Sequence, residues 1–257
     1  MRIEDLDSPR VVPGSADRIL RTLEAFELHW DGPVEYQSRR LPLYREALER
    51  LGAAGWTYEC SCSRKELAGS DTSYPGTCRA GPTRRGPTAT RFRVPDRTVV
   101  LFDDRVQGPQ RFAGGELADF VLRRKDGIIA YQLAVVVDDE AQQVSDVVRG
   151  ADLLQSTGWQ VALQGALGSA TPRYAHLPLV MERTRGKLGK SRRSLPVKPT
   201  GAAAVLTAVL RLLNQGPPPD LQHDAPGRVL QWGWRNWRLD TFQGVRAVTT
   251  CDSAHAK

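Results

Sequence analysis

The chain has 257 residues, of which 40% are hydrophobic and 25% are charged. This balance is ordinary for a globular protein with a real core and argues against wholesale disorder. The formal net charge of +7 favours a polyanionic partner such as nucleic acid or a nucleotide, although many basic proteins bind neither. No apolar run is long enough to cross a membrane, and the acidic start at residues 2–7 lacks the features of a signal peptide.

Two helices and a set of short strands are predicted in the first half. Pro-Gly-Ser at 13–15 precedes apolar residues at helical spacing, which are Ile19, Leu20, Leu23 and Phe26. A second helical pattern begins at Leu41-Pro42 and ends at 52–55, with Leu43, Tyr44, Ala47, Leu48 and Leu51 on one face. Short strands are predicted at 90–94, 99–102 and 119–124, and Lys-Asp-Gly at 125–127 indicates a hairpin turn.

The second half opens with an apolar run at 130–137 that is compatible with a buried strand or a buried helix. Residues 144–148 read as a strand that ends at 149–152, and a polar pair after a parallel strand is typical of α/β ligand sites. Helices are predicted at 157–167 and 202–213. A Pro-rich and then Trp-rich segment follows, and a tail is expected after residue 249.

Three cysteines, Cys60, Cys62 and Cys78, lie within nineteen residues, whereas Cys251 is far away. Thiols crowded into a polar, Gly/Pro-containing stretch favour a metal knuckle, and the alternative is a pair of small buried thiols in a loop-rich insertion. The spacing implies no disulfide framework and points to a reducing cytosol.

A basic loop occupies residues 183–193, where six of eleven residues are Lys or Arg and glycines add freedom. It has three interpretations: a solvated surface, which composition alone favours, a nonspecific polyanion patch, or a loop that closes over phosphates.

Other polar residues carry alternatives of their own. The acids at 4–7 suit a general base, a metal site or a solvated turn. Arg149 after its strand is most often a surface ion pair, and Tyr131 in an apolar run is most often core. The acidic pair at 138–139 suits magnesium or, more commonly, a helix end. The histidines, His29, His176, His223 and His255, form no ligand pattern.

Ten segments, in order and with ordinary spacing, together resemble one family. They include Arg-Ile-Glu-Asp-Leu-Asp at 2–7, Cys-Ser-Cys-Ser-Arg at 60–64, Tyr-Pro-Gly-Thr-Cys at 74–78, and further matches at 28–32, 44–48, 124–127, 130–139, 148–154, 176–179 and 187–191. The family is the glutamyl-queuosine tRNA(Asp) synthetases, shortened relatives of class I glutamyl-tRNA synthetases. The resemblance runs from residue 2 to about 239.

The resemblance implies an α/β fold: a class I Rossmann-type catalytic domain with a small zinc-binding insertion. It implies catalytic-domain segments at 1–58 and 126–240, an acceptor-type zinc-binding insertion at 59–125 and a tail at 241–257. It places one structural zinc ion on Cys60, Cys62, Tyr74 and Cys78, and glutamate on Glu4, Tyr131 and Arg149. The ATP-binding KMSKS-type loop then consists of Lys187, Leu188, Gly189, Lys190 and Ser191.

The implied reaction is activation of glutamate by ATP with Mg²⁺, followed by transfer to the queuosine base in the anticodon of tRNA(Asp). A guanidinium is the natural partner of a substrate carboxylate, Glu4 suits the ammonium, and Lys190 meets the phosphates. No covalent nucleophile is needed. We expect a cytoplasmic monomer that contacts no membrane.

Two departures from the family pattern stand out. Gly189 occupies a position where the family usually has Ser, which removes a hydroxyl from the loop. The first strand, an Arg-x-Ala-Pro-Ser turn and the HIGH-type segment, which precede residue 2 in the family, are not in this sequence. Because they supply half of the ATP site and a central strand, we expect the chain as written to be unstable and nearly inactive.

The Met1 position, where relatives often have Val or Leu, suggests a GTG codon read as a start, with the segment encoded upstream. The alternative is a truncated, non-catalytic tRNA- or amino-acid-binding remnant. An ordinary glutamyl-tRNA synthetase is disfavoured, since no anticodon-binding domain follows the loop.

Overall fold

The computed structural model describes residues 1–67, 74–113, 115–182, 186–187 and 197–249. The elements of the first half are β1 (Arg2–Ile3), α1 (Ser15–Ala25), β2 (Glu35–Tyr36), α2 (Leu41–Ala53), β3 (Thr57–Cys60), α3 (Arg64–Leu67), β4 (Ala89–Phe92), β5 (Val99–Asp104), β6 (Gly108–Ala113) and β7 (Phe120–Arg123). Those of the second half are α4 (Tyr131–Ala141), β8 (Asp146–Gly150), α5 (Leu154–Leu167), β9 (Arg173–Leu177), β10 (Leu179–Glu182), β11 (Gly186–Lys187), α6 (Ala202–Leu212), α7 (Pro226–Asn236) and β12 (Ala247–Thr249). The mixture of strands and helices confirms the predicted α/β class.

The strands form several small sheets. The largest has the order β6-β5-β9-β8, in which β5 and β6 are antiparallel while β9 is parallel to both β5 and β8. β3, β4 and β7 form a separate antiparallel sheet, and β1 and β2 form a parallel pair. β10 pairs with β11 and with β12. Within the described residues, β8 is an edge strand, and its Val148 is 62% exposed.

The main core lies between the helices α2, α4 and α5 and the neighbouring strands. Leu51, Leu133 and Leu163 from the three helices are fully buried and belong to one cluster with Phe92 and Phe120. Each fully buried Leu or Phe side chain contributes ~1.5–3 kcal/mol. These contacts hold α4, whose first residue is Tyr131, against the core.

The structure confirms most of the predicted elements. α1, α2, α5 and α6 and the strands β4, β5, β7 and β8 match predicted segments, and the undecided run at 130–137 is the helix α4. The turn at 125–127 closes with a hydrogen bond from Gly127 N–H to Arg124 C=O, and Gly127 has φ +85°. None of the described helices combines the length and the apolarity that a membrane span requires.

Some elements were not predicted. β6 contains Pro109 and is an edge strand, where a missing N–H costs no ladder hydrogen bond. α7 contains two glycines, and Gly233 is buried because it packs closely on Leu210 of α6. β8 also extends further than predicted, so that Arg149 and Gly150 lie within the strand and not after it. The bounds of the strands β6 and β8 depend on their register against a neighbouring strand, which local pattern does not indicate.

Candidate functional site

Three polar side chains that the resemblance singles out converge beside β8. Glu4 directly follows β1, Tyr131 is the first residue of α4, and Arg149 lies in β8. Arg149 Nη1 donates a hydrogen bond of 3.3 Å to Tyr131 Oη. Burial raises the pKa of the Tyr131 hydroxyl, the positive charge of Arg149 opposes this effect, and the negative charge of Glu4 adds to it. The structure therefore brings the three residues close enough to interact.

Arg149 is held by uncharged acceptors. Its Nη2 donates to Thr157 Oγ1 and Gln160 Oε1, both at 2.7 Å. Its Nε donates to His176 Nε2 at 3.1 Å. All of the hydrogen bonds described for Arg149 therefore go to neutral groups, and the guanidinium keeps its attraction for an external anion.

A buried acid–histidine pair lies behind Arg149. His176 in β9 stands directly opposite Arg149 in the parallel register, so both side chains share one face. Its Nδ1 lies 2.5 Å from Asp104 Oδ2, and both side chains are 0% exposed. Burial disfavours the Asp104 carboxylate, but hydrogen bonds from His176 and from the backbone amides of Gln107 and Val106 outweigh it and lower the pKa of Asp104 to about 2. Asp104 is thus a fixed anionic anchor for the imidazole.

Glu4 is oriented by a second ion-pair chain. Arg2 Nε and Nη2 both donate to Glu4 Oε1 at 3.3 Å, and Arg2 Nη1 donates to Asp139 Oδ1 and Gln142 Oε1 at 2.8 Å. The Glu4 side chain is 42% exposed, whereas that of Asp139 is 13% exposed. Burial raises the pKa of Asp139, and the charge of Arg2 opposes that rise. The Glu4 carboxylate therefore faces solvent, with one oxygen tied to Arg2.

An open cleft of about 540 Å³ borders Glu4. It is lined by β1, by Asp5 and Asp7 after it, by residues 10–16 and by Tyr36. The acidic start of the chain is thus partly at a cleft wall, although Asp5 is itself bound to the backbone N–H and hydroxyl of Ser38. The cleft offers space next to Glu4 for a molecule larger than an amino acid.

The cysteine stretch forms a compact cluster. The Sγ atoms of Cys60, Cys62 and Cys78 all lie within 4.8 Å of one another, and Cys62 Sγ is 3.5 Å from Cys78 Sγ. Tyr74 Oη lies 3.4 Å from Cys60 Sγ and 3.8 Å from Cys62 Sγ. Zn–S bonds of ~2.3 Å in a tetrahedron place sulfur atoms ~3.8 Å apart. The three sulfurs are therefore close enough together to hold one metal ion, and the phenolic oxygen of Tyr74 lies beside two of them.

The surroundings of the cluster favour a thiolate at one position. Burial raises the pKa of Cys78, but hydrogen bonds from Tyr74 and from the backbone amides of Ser61 and Thr83 outweigh it and lower that pKa to about 5. Burial, together with the neighbouring Cys78, raises the pKa of Cys62. The Arg91 guanidinium lies 3.8 Å from the centroid of the Tyr74 ring, and Cys78 N–H donates to Tyr74 Oη at 2.9 Å. These contacts hold the phenol in the cluster.

The basic loop falls largely outside the described residues. This applies to Leu188, Gly189, Lys190 and Ser191, and likewise to Cys251. Lys187 is placed by its backbone, in β11 opposite Met181 of β10. The three interpretations of this loop therefore stay as predictions.

Asp138 is a structural residue. Its side chain is 0% exposed, and its oxygens accept hydrogen bonds from Gln37 at 2.8 Å, Arg40 at 2.7 Å and Tyr44 at 2.8 Å. Asp139 is paired with Arg2. The acidic pair at 138–139 is therefore part of the packing of α4 against α2 and β1.

Sequence reasoning missed the residues that support the site. No local pattern assigns a role to His176, although it lies within a matching segment, or to Asp104, Thr157 and Gln160. The one available signal was a His within a short, nearly continuous apolar segment at 174–181. The role of Arg2 is likewise invisible in the sequence, since only the fold brings it to Asp139.

Comparison with known proteins identifies related sequences and folds. The family model "tRNA synthetases class I (E and Q), catalytic domain" matches residues 1–202. A Glutamyl-Q tRNA(Asp) synthetase of Pseudomonas aeruginosa is 49% identical over 238 residues, which are 92% of this chain and 81% of that protein. The protein of the same name from Ectopseudomonas mendocina is 50% identical over 254 residues, 98% of this chain and 85% of that protein.

Solved structures share the fold. A glutamate tRNA ligase of Elizabethkingia meningosepticum, in complex with its amino acid, superposes with a TM-score of 0.77 at 23% identity and covers 98% of this chain. The glutamate-tRNA synthetase of Elizabethkingia anophelis gives a TM-score of 0.78, also at 23% identity. This chain spans 60% and 61% of the length of those two proteins.

Proposed function

We propose, from the premise that this chain belongs to the class I tRNA synthetases of the glutamate and glutamine group, that it activates glutamate with ATP and transfers it to the queuosine base of tRNA(Asp). Membership follows from the family match over residues 1–202 and from 49% identity over 92% of the chain. The glutamate and tRNA(Asp) specificity comes from the names of those relatives.

The observation that carries the proposal is the grouping of Arg149, Tyr131 and Glu4. Arg149 is a cation whose described hydrogen bonds all go to neutral acceptors, and Glu4 presents a carboxylate that is 42% exposed. Glutamate has complementary groups for both, because its second, side-chain carboxylate suits Arg149 and its ammonium suits Glu4. Tyr131 lies beside Arg149 and adds a hydroxyl that donates to the same carboxylate.

The chemistry needs positioning more than a reactive side chain. An oxygen of the α-carboxylate of glutamate attacks the α-phosphorus of ATP and forms a new P–O bond. Pyrophosphate leaves with the electrons of the broken P–O bond. We assign Lys190 of the basic loop to the leaving pyrophosphate, with Lys187 nearby and Mg²⁺ on the triphosphate as substrate metal. In the second step the queuosine base accepts the glutamyl group and AMP leaves.

The cysteine cluster is proposed to hold one structural zinc ion. Cys60, Cys62, Cys78 and Tyr74 supply three sulfurs and one oxygen at distances that suit a tetrahedral ion, and the low pKa of Cys78 favours the thiolate that zinc binds. The ion would join β3 to the segment at 74–78 and thereby order the insertion at 59–125. Its role in this account is to hold the fold, with no part in the chemical steps.

The proposed partners are glutamate, ATP and queuosine-modified tRNA(Asp), bound by a cytoplasmic monomer. We assign the net charge of +7 to attraction of the tRNA phosphates.

ATP–pyrophosphate exchange tests the first step. With glutamate and without tRNA, exchange by this chain supports adenylate formation. Aspartate and glutamine serve as amino-acid controls. Binding of glutamate or tRNA without any exchange favours the alternative, a binding remnant that forms no adenylate.

A further inference from the structure

The chain Asp104–His176–Arg149 links the deepest carboxylate of the β5–β9–β8 sheet to the proposed glutamate site. The three residues lie on neighbouring parallel strands, and their side chains contact one another in sequence at 2.5 Å and 3.1 Å. His176 and Asp104 are 0% exposed. Neither side chain is in a position to touch a substrate, yet each controls a group that is.

Hydrogen-bond directions fix the tautomer of His176. Arg149 Nε always carries a hydrogen and only donates, so His176 Nε2 must present its lone pair. The ring hydrogen therefore lies on Nδ1, where it points at the Asp104 carboxylate. That carboxylate is held as a hydrogen-bond acceptor, because its other oxygen accepts hydrogen bonds from the backbone N–H groups of Val106, Gln107 and His176.

The donor count of Arg149 then becomes definite. A guanidinium has five N–H groups. His176 accepts the one on Nε, Thr157 and Gln160 accept the two on Nη2, and Tyr131 accepts one on Nη1. One Nη1–H stays without a described acceptor, next to the Tyr131 hydroxyl, which also interacts with Gln160. A carboxylate bound at this N–H would also lie beside the Tyr131 hydroxyl.

We infer that His176, held by Asp104, is a positioning residue that sets the rotation of the Arg149 guanidinium for the carboxylate of the amino-acid substrate. The inference rests on the proposed function for the identity of that substrate. The hydrogen bond to His176 Nε2 holds the plane of the guanidinium in one orientation, because rotation of that plane would break the only hydrogen bond described for Nε. Thr157, whose Oγ1 is 3.0 Å from the same ring nitrogen, closes the arrangement.

Isosteric variants separate positioning from packing. In His176→Asn the amide N–H keeps the contact with Asp104 but leaves Arg149 Nε without an acceptor. In His176→Gln the longer side chain places an oxygen near the position of Nε2 and restores that acceptor. In Asp104→Asn the new amide donates to Nδ1, which moves the ring hydrogen to Nε2 and sets donor against donor at Arg149. The buried Thr207→Val, which removes a hydrogen bond to Ala203 in α6, is the matched control.

Steady-state exchange kinetics give the first readout. Loss of one hydrogen bond to a charged group corresponds to ~10-fold or more in binding. We expect His176→Asn and Asp104→Asn to raise the glutamate KM by ~10-fold or more with the KM for ATP unchanged, and His176→Gln to stay within ~3-fold of the parent. Equal KM values for His176→Asn, His176→Gln and the parent would overturn the inference. A uniform loss of kcat in all variants, including Thr207→Val, would overturn it as well.

The ¹⁵N shifts of the His176 ring give a readout that needs no substrate. The parent should show a protonated Nδ1 and an unprotonated Nε2, and Asp104→Asn should show the reverse. A protonated Nε2 in the parent overturns the inference even if glutamate is activated. If the parent activates no glutamate, the proposed function fails alone, and the spectra of the parent and of Asp104→Asn still decide the arrangement. If one variant does not fold, the other two carry the same comparison.

Discussion

Arg149→Lys keeps the positive charge beside Tyr131 but removes the planar group that the site is built around. The guanidinium makes four described hydrogen bonds, to Tyr131, Thr157, Gln160 and His176. A lysine ammonium has three donors on one atom and cannot reach acceptors on opposite sides at once. Buried acceptors on α5 and β9 then lose their donor. The ammonium can bond only some of them, so its position relative to the substrate changes.

The size of the effect follows from the bond that the substrate loses. A hydrogen bond to a charged group contributes ~1.5–3 kcal/mol, so misplacing the donor to the glutamate carboxylate raises the glutamate KM by ~10- to 150-fold. The KM for ATP should change little, because the triphosphate is assigned to the basic loop. Steady-state ATP–pyrophosphate exchange over a range of glutamate concentrations measures both constants.

Arg173→Lys is the matched control for that experiment. Arg173 is an exposed residue of β9 whose ion pair with Asp146 of β8 lies in the same sheet but away from Tyr131. Surface ion pairs contribute ~0–1 kcal/mol, so this variant should keep both KM values. If Arg149→Lys behaves like Arg173→Lys, Arg149 does not bind the substrate carboxylate and the reasoning is wrong.

Three further predictions concern the metal and the core. Cys62→Ser should reduce bound zinc from one per chain to well below one, measured by elemental analysis, and unchanged zinc would remove this residue from the site. The Asp104 pKa, lowered to about 2 from 3.8, implies about 2 kcal/mol of stability that is present above pH 3.8 and lost as the pH falls through 2. In Asp104→Asn the free energy of unfolding should therefore fall less steeply over this acid range. The same dependence on pH in the variant and the parent would contradict this prediction. In α5, Gly158→Ala should lower the free energy of unfolding by ~1–3 kcal/mol, because the new Cβ would lie 2.8 Å from Leu117 Cδ2. Gly165→Ala has nothing within 4 Å of its Cβ and should raise the free energy of unfolding by ~0.5–1 kcal/mol. Denaturant titrations that give both changes the same sign would refute the packing argument.

Helices with a clear apolar face were predictable, and buried or edge elements were not. α1 and α2 show apolar residues at helical spacing because one face of each meets solvent. The run in α4 has no such contrast, since Leu133, Ala134, Val135 and Val136 are all buried. Periodicity therefore could not distinguish a helix from a strand there.

The candidate site was only partly accessible from the sequence. Local spacing predicted a metal knuckle at Cys60, Cys62 and Cys78, whereas Tyr74 came from the family resemblance alone. Glu4, Tyr131 and Arg149 also came from the resemblance, because they are separated by more than a hundred residues between β1 and α4 and meet only through the fold. The Asp104–His176 pair depends on the parallel register of β5, β8 and β9, which no local pattern indicates.

Transfer of labelled glutamate to tRNA tests the central claim most directly. The substrates are tRNA(Asp) carrying queuosine, the same tRNA without queuosine, and tRNA(Glu), each with ATP, Mg²⁺ and this chain. We expect stable labelling of the queuosine-containing tRNA(Asp) alone. Labelling of tRNA(Glu), or equal labelling of tRNA(Asp) with and without queuosine, would contradict it.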